Sequence, residues 1–434
     1  MLESGRYRPW PGVSIRSWER GPPGPHHDFE RTWRSALRHE GYPMLSGIHG
    51  HQDIERVVYG KPAGPVLRAE AERLGAKRVF VTTSKSVAQS ALLADVIRDL
   101  GDRYVGVYSG ITAHSPRPCV IEGAKLAREV GADLIVAVGG GSVIDATKVM
   151  LIALWQGAMT IEALDLYRAG RPKEGHAPPS EAIRPPADAV RMVAVPTTLS
   201  AAEFNPFAGI SDPRHGIKES FGHRLVVPRV IVLDPAATLA TPMDLMLSTG
   251  IKAVDHAVER LCSHQAHPFV LGTATEALKL LTKALPAHAA QPDDMPTRLD
   301  LQFGMWLSIG AGTSGVGTGA SHGIGHVLGA ACHVPHGHTS CVMLPSVLRW
   351  NLPANAERQS RVSDAFGKPD VPAADLVAGL VQSLGLPGRL AAVGVGRDRF
   401  REIAEKSMHD RAVLNNPRPI AGPEQVMEIL ELAA

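Results

Sequence analysis

The stretch Val136–Lys148, VAVGGGSVIDATK, decides the fold. A short β-branched run enters three consecutive glycines, Gly139 to Gly141, and a helical pattern leaves from Ser142. Glycine lets a backbone approach a ligand closely, and a helix start offers free N–H groups and a positive dipole end to an anion. The stretch reads as strand, pyrophosphate-sized turn and helix, with Asp145 on the first helical turn and Lys148 three residues later. A ligand-free turn would use the same glycines, and the spacing is not the GxGxxG of a Rossmann site.

Outward from this turn, strands alternate with helices. RVFVTT (Arg78 to Thr83), YVGVY (Tyr104 to Tyr108), DLIVAV (Asp133 to Val138), RMVAVP (Arg191 to Pro196) and RVIVLD (Arg229 to Asp234) read as strands. Helical patterns occupy Gly64 to Leu74, a stretch ending near Leu100, and Val120 to Val130. Apolar strands separated by amphipathic helices imply a parallel sheet covered on both faces. Arg168 to Pro186, rich in Pro, Gly and charge, reads as an excursion loop. After DPAATLATP the spacing turns helical, as in Ala274, Leu278, Leu281 and Leu285. The expected fold is therefore an α/β domain with a parallel sheet and nucleotide-binding turn, residues 46–245, followed by an all-α domain, residues 246–434. Residues 1–45 lack an apolar period and read as a loosely ordered extension; Glu3, Glu19, Asp28 and Glu30 argue against a transit peptide.

At 434 residues the chain is long enough for two cores, and 45 basic against 43 acidic residues leave a formal charge of +2. No strong field favours nucleic acid or an anionic membrane, so a small molecule is the expected partner. No apolar run has the length of a membrane helix or the flanks of a signal peptide. Cys119, Cys262, Cys332 and Cys341 form no disulfide framework, which fits reduced thiols and a cytoplasmic location.

Histidine concentrates in TGIKAVDHAVE (Thr249 to Glu259) and SHGIGHVLGAACHVPHGH (Ser321 to His338). Lys252 and His256 share one helix face, as do His322 and His326, and His336 follows beyond the second helix. Side chains converging from separate helices build metal and catalytic sites this way. Asp255, Glu259, His333 and His338 read as ordinary surface groups.

Taken together, GGGS followed by Asp145 and Lys148, the VPTT segment (Val195 to Thr198), and these two histidine segments resemble the iron-containing alcohol dehydrogenase superfamily, whose architecture dehydroquinate synthases share. The resemblance covers roughly residues 55 to 430. It implies NAD or NADP held by Gly139, Gly140, Gly141, Ser142, Asp145, Thr197, Thr198 and Lys218. It also implies metal-ligand positions at Lys252, His256, His322 and His336, with His326 beside the nicotinamide on the proton route.

Lys252 departs from the pattern, standing where the superfamily carries an aspartate ligand. A protonated lysine offers no lone pair and repels a divalent cation. Either His256, His322 and His336 alone hold an Fe or Zn ion, or the ammonium itself polarises a carbonyl; the second is the expectation. Maleylacetate reductases, a branch in which the aspartate is also replaced, share the character of GVYSGITAHSP (Gly106 to Pro116) and PTTLSAAEFNPFAGISD (Pro196 to Asp212), though that branch more usually carries asparagine at the position of Lys252. The expected activity is NAD(P)H-dependent hydride transfer to a small ketone or aldehyde, an oxo-acid included, with His223, Arg224 or the lysine as counter-charges. Catalytic candidates are Lys252, His256, His322, His326 and His336. A homodimer is the default assembly. The competing readings are a metal-dependent alcohol dehydrogenase, a dehydroquinate synthase-like lyase, and an inactive nucleotide-binding protein. The absence of an acidic residue after RVFVTT leaves NADP open.

Overall fold

Period-two alternation sends successive side chains of a strand to opposite faces, and here both faces are apolar. The computed structural model describes residues 49–169, 182–215, 217–310 and 315–434. Among them the strands are β1 (Arg56–Tyr59), β2 (Val79–Ser84), β3 (Tyr104–Ile111), β4 (Leu134–Gly139), β5 (Arg168–Ala169), β6 (Arg191–Pro196), β7 (Phe207–Asp212), β8 (Ile217–Gly222) and β9 (Val230–Leu233). Six of them form a parallel sheet in the order β1-β9-β6-β4-β2-β3. Val79, Val81, Leu134, Val136, Val193 and Val195 face helices α1 (Ala63–Arg73) and α2 (Ala91–Leu100). Phe80, Ile135, Ala137, Met192 and Ala194 face α3 (Arg117–Glu129) and α4 (Gly141–Gln156). The glycine turn therefore leaves the C-terminal end of a central strand, where ligands of open parallel sheets bind.

The five strands expected from sequence are present. The short edge strand β1 and the antiparallel second sheet, β5-β8-β7, are additions. That sheet rests on buried ions. Arg117, fully buried, donates to Glu219 at 2.8 Å and to Asp165 at 2.6 Å. Alternation on β8 commits Glu219 to Arg117 and turns its neighbour Lys218 the other way. The expected extension and most of the excursion loop lie outside the described residues.

From Met243 onward the described elements are helical: α5 (Met243–Cys262), α6 (Pro268–Ala290), α7 (Met295–Gly310), α8 (Ala320–Cys332) and α9 (His336–Ala365), followed by helices over Ala373–Ser383, Phe400–Ser407 and Pro423–Leu432. Helix α5 is buried without interruption from Met246 to Cys262, and Ala274, Leu278, Leu281 and Leu285 pack against it. Among the described residues no helix is long and apolar enough to cross a membrane.

Candidate active site

The glycine turn and the histidine segments line one cavity of about 690 Å³. At one end, Gly140 is the N-cap of α4 and no side chain caps the helix. A Cβ on Gly140 would come within 2.9 Å of Thr198 Cγ2, and one on Gly141 within 2.8 Å of Ser200 Oγ, so a side chain at either position would clash. Thr197 N donates to Gly139 O at 3.1 Å, which seats the Pro-Thr-Thr segment against the turn. Thr198 Oγ1 and Ser200 Oγ are buried without partners beside it. Buried hydroxyls without partners are costly, and an uncapped helix start attracts anions, so this end fits a dinucleotide pyrophosphate.

Asp145 and Lys148 serve the walls. Asp145 accepts from Gly209 N at 3.0 Å and lines the cavity. Lys148 is fully buried and donates to the carbonyls of Ala202, Asn205 and Phe207. Together they tie α4 to the 202–209 segment. Lys218 lines the same wall, its stem so close to Gly209 that a Cβ there would lie 2.5 Å from Lys218 Cε.

At the other end, Lys252 and His256 project from α5, His322 and His326 from α8, and His336 from the first residue of α9; all five line the cavity. The imidazoles form a chain. His256 stacks on His322 with centroids 4.7 Å apart, His322 meets His326 edge-on at 6.3 Å, and His326 stacks on His336 at 5.9 Å. Lys252 is 7% exposed, and among the described residues no carboxylate pairs with its ammonium within 4.0 Å. Burial pulls its pKa below the ordinary lysine range, with Asp255 opposing. Burial also holds His322 down to about 3 and His256 well below its usual value, while Lys252 and then burial lower His336. Each of these shifts favours the neutral ring, which offers a lone pair. The His326 side chain is 43% exposed and pairs with Asp410 at 2.8 Å.

Asp255 and Glu259, read from sequence as surface charges, are buried behind this wall. Asp255 accepts from Ser321 Oγ at 2.9 Å, and Glu259 accepts from Gly319 N and Ser321 N and sits 2.7 Å from His322 Nδ1. Their signal in the sequence is the dense apolar and small-residue setting of α5. His333 lines the cavity, whereas His338 pairs with Asp244. The suggested counter-charges His223 and Arg224 do not line it: Arg224 is held by Asp53 at 2.7 Å and His223 packs against Trp155.

His256, His322 and His336 offer three imidazoles at this end, and Lys252 beside them has no lone pair for a metal while protonated. Among the described residues, the groups whose ligand atoms lie within 4.8 Å of one another are Asp255, Glu259 and His322, and Asp165, Asp212 and Glu219. In the first group the atoms that approach one another are engaged in hydrogen bonds with Ser321 and within the group, and in the second Arg117 and Arg214 pair the carboxylates.

The family model described as Iron-containing alcohol dehydrogenase matches residues 55–235, and that of the Fe-containing alcohol dehydrogenase family, C-terminal, matches residues 246–434. Dehydrogenase FUM7 of Gibberella moniliformis is 32% identical over 415 residues, covering 87% of this chain and 96% of that protein. Maleylacetate reductase of Burkholderia cepacia is 31% identical over 370 residues, covering 85% and 92%. The crystal structure of maleylacetate reductase from Agrobacterium tumefaciens superposes with a TM-score of 0.74 at 25% identity, covering 90% of this chain and 98% of that one.

Proposed function

We propose that this chain, which belongs to the iron-containing alcohol dehydrogenase family near its maleylacetate reductase branch, reduces a small oxo-acid with the Lys252 ammonium as electrophile. The family's chemistry makes it an NAD(P)H-dependent oxidoreductase acting on CH–OH and C=O groups. The observation that carries the finer reading is the position of Lys252, a buried lysine in the wall of the cavity that begins at the glycine turn, with no carboxylate within 4.0 Å among the described residues.

The bound nicotinamide supplies the hydride. Lys252 Nζ donates to the carbonyl oxygen and stabilises the alkoxide as charge develops. Fixed donors of this kind, in a site that excludes water, supply the largest catalytic term in many enzymes. Neutral His256, His322 and His336 accept from the ammonium or the substrate and orient both. His326, oriented by Asp410 and more open to solvent, relays the proton.

Lys218, Lys252, His114 and His333 line the cavity, while its acidic lining residues, Asp145 and Asp244, are engaged with Gly209 N and His338. This bias supports an anionic substrate. Ser84, Ser86 and Ser90 line the cavity at the end of β2 where a carboxylate would repel a 2′-phosphate, which supports use of NADPH as well as NADH. All four cysteines are free thiols, in keeping with a reducing cytoplasm, and a homodimer is the assembly we infer.

The test is cofactor oxidation by the purified protein against neutral aldehydes, neutral ketones and oxo-carboxylates. Oxo-carboxylates are expected to give the highest kcat/KM. A clear preference for neutral carbonyls would remove the oxo-acid assignment, and product formation without net cofactor oxidation would point to lyase chemistry.

A further inference from the structure

We infer that Glu259 is a positioning residue that fixes His322 as the Nδ1–H tautomer and so presents its Nε2 lone pair to the active site. The inference rests on the reading above only for the use made of that lone pair. Both residues are buried, 7% and 6% exposed. Glu259 Oε1 accepts from Ser321 N at 2.8 Å, and Oε2 accepts from Gly319 N at 2.7 Å. The third contact of the carboxylate is His322 Nδ1, 2.7 Å from Oε2. The ionised Glu259 carboxylate only accepts, so Nδ1 is the donor of this third contact. A second carboxylate oxygen, Asp255 Oδ2, is 3.4 Å from Nδ1 and already accepts the Ser321 hydroxyl.

A neutral imidazole carries one proton. With that proton on Nδ1, Nε2 is an acceptor. Nε2 is buried with no hydrogen-bond partner, and His322 lines the cavity between His256 and His326. The opposite tautomer would put N–H there and turn an acceptor for Lys252 or for a substrate hydroxyl into a competing donor. The two backbone bonds cap the start of α8, and a residue that served only as a cap would not need the third contact.

The experiment uses nitrogen-15 histidine-labelled full-length protein. Two-bond nitrogen–proton correlation spectra separate the tautomers, and His322→Asn identifies the His322 signal. The wild-type signal is expected to show protonated Nδ1 and bare Nε2; protonated Nε2 would overturn the inference without any variant at Glu259. Glu259→Leu removes the acceptor without introducing a donor, so His322 is expected to shift toward the Nε2–H form, with kcat down about 10- to 100-fold and cofactor KM within about twofold. An unchanged tautomer in a folded Glu259→Leu protein overturns the inference. A shifted tautomer with unchanged kcat leaves the positioning role standing and removes His322 from the proposed chemistry.

Discussion

Lys252 and Asp255 stand one turn apart on α5, the cation in the cavity wall and the carboxylate buried behind it, bonded to Ser321 Oγ at 2.9 Å. Lys252 lines the cavity, and Asp255, three residues on, does not.

Replacing that charge tests its role. Lys252→Ala is expected to lower kcat by about 10²–10³-fold, the range for removing one oxyanion donor. Steady-state kinetics and thermal melting would check this together. A well-folded variant with near-normal kcat removes Lys252 from the chemistry.

The pH dependence has a definite sign. The ammonium is the active form, so carbonyl reduction should decline as pH rises through the Lys252 pKa, which burial pulls from the ordinary 10.5 down to about 7. Asp255 raises that pKa, so Asp255→Asn should move the decline to lower pH. The pH profile of kcat under saturating cofactor reads both; a shift to higher pH in Asp255→Asn contradicts the assignment.

The two lysines at the cofactor end should separate structure from binding. Lys148→Met leaves three backbone carbonyls without their donor. Each buried unmet group costs about 1–3 kcal/mol, so this variant should melt earlier and bind cofactor more weakly. Lys218 is exposed at the cavity wall, and Lys218→Met should raise cofactor KM with an unchanged melting temperature.

Gly141→Ala should weaken cofactor binding more than stability, because the new Cβ points at Ser200 Oγ, 2.8 Å away, a side chain that can rotate only at the expense of the cradle. Cofactor titration by fluorescence would measure it, and wild-type affinity would show that the turn does not form the cradle.

What the sequence displays follows from burial. Strands β2, β4, β6 and β9 are covered on both faces, so their runs are apolar and easily read. β1 is a four-residue edge strand with exposed ends, and the β7–β8 pair mixes glycine, charge and hydroxyl residues over a buried ion network, so neither carries a periodic signal. Lys252, His256, His322, His326 and His336 stand out by spacing and resemblance, and all five line one cavity. Charge on a helix usually marks its solvated face, which is why Asp255 and Glu259 read as surface groups although both are buried. Here they meet donors from Gly319 and Ser321, far away in sequence at the start of another helix, which no local pattern reports.

The most direct test of the central claim is turnover of chelator-treated protein whose residual metal has been quantified. With the ammonium as electrophile, kcat for oxo-acid reduction should be unchanged at metal contents far below one ion per chain, and added Fe²⁺ or Zn²⁺ should not raise it. Activity that falls in proportion to the metal removed and returns on adding either ion would contradict the account.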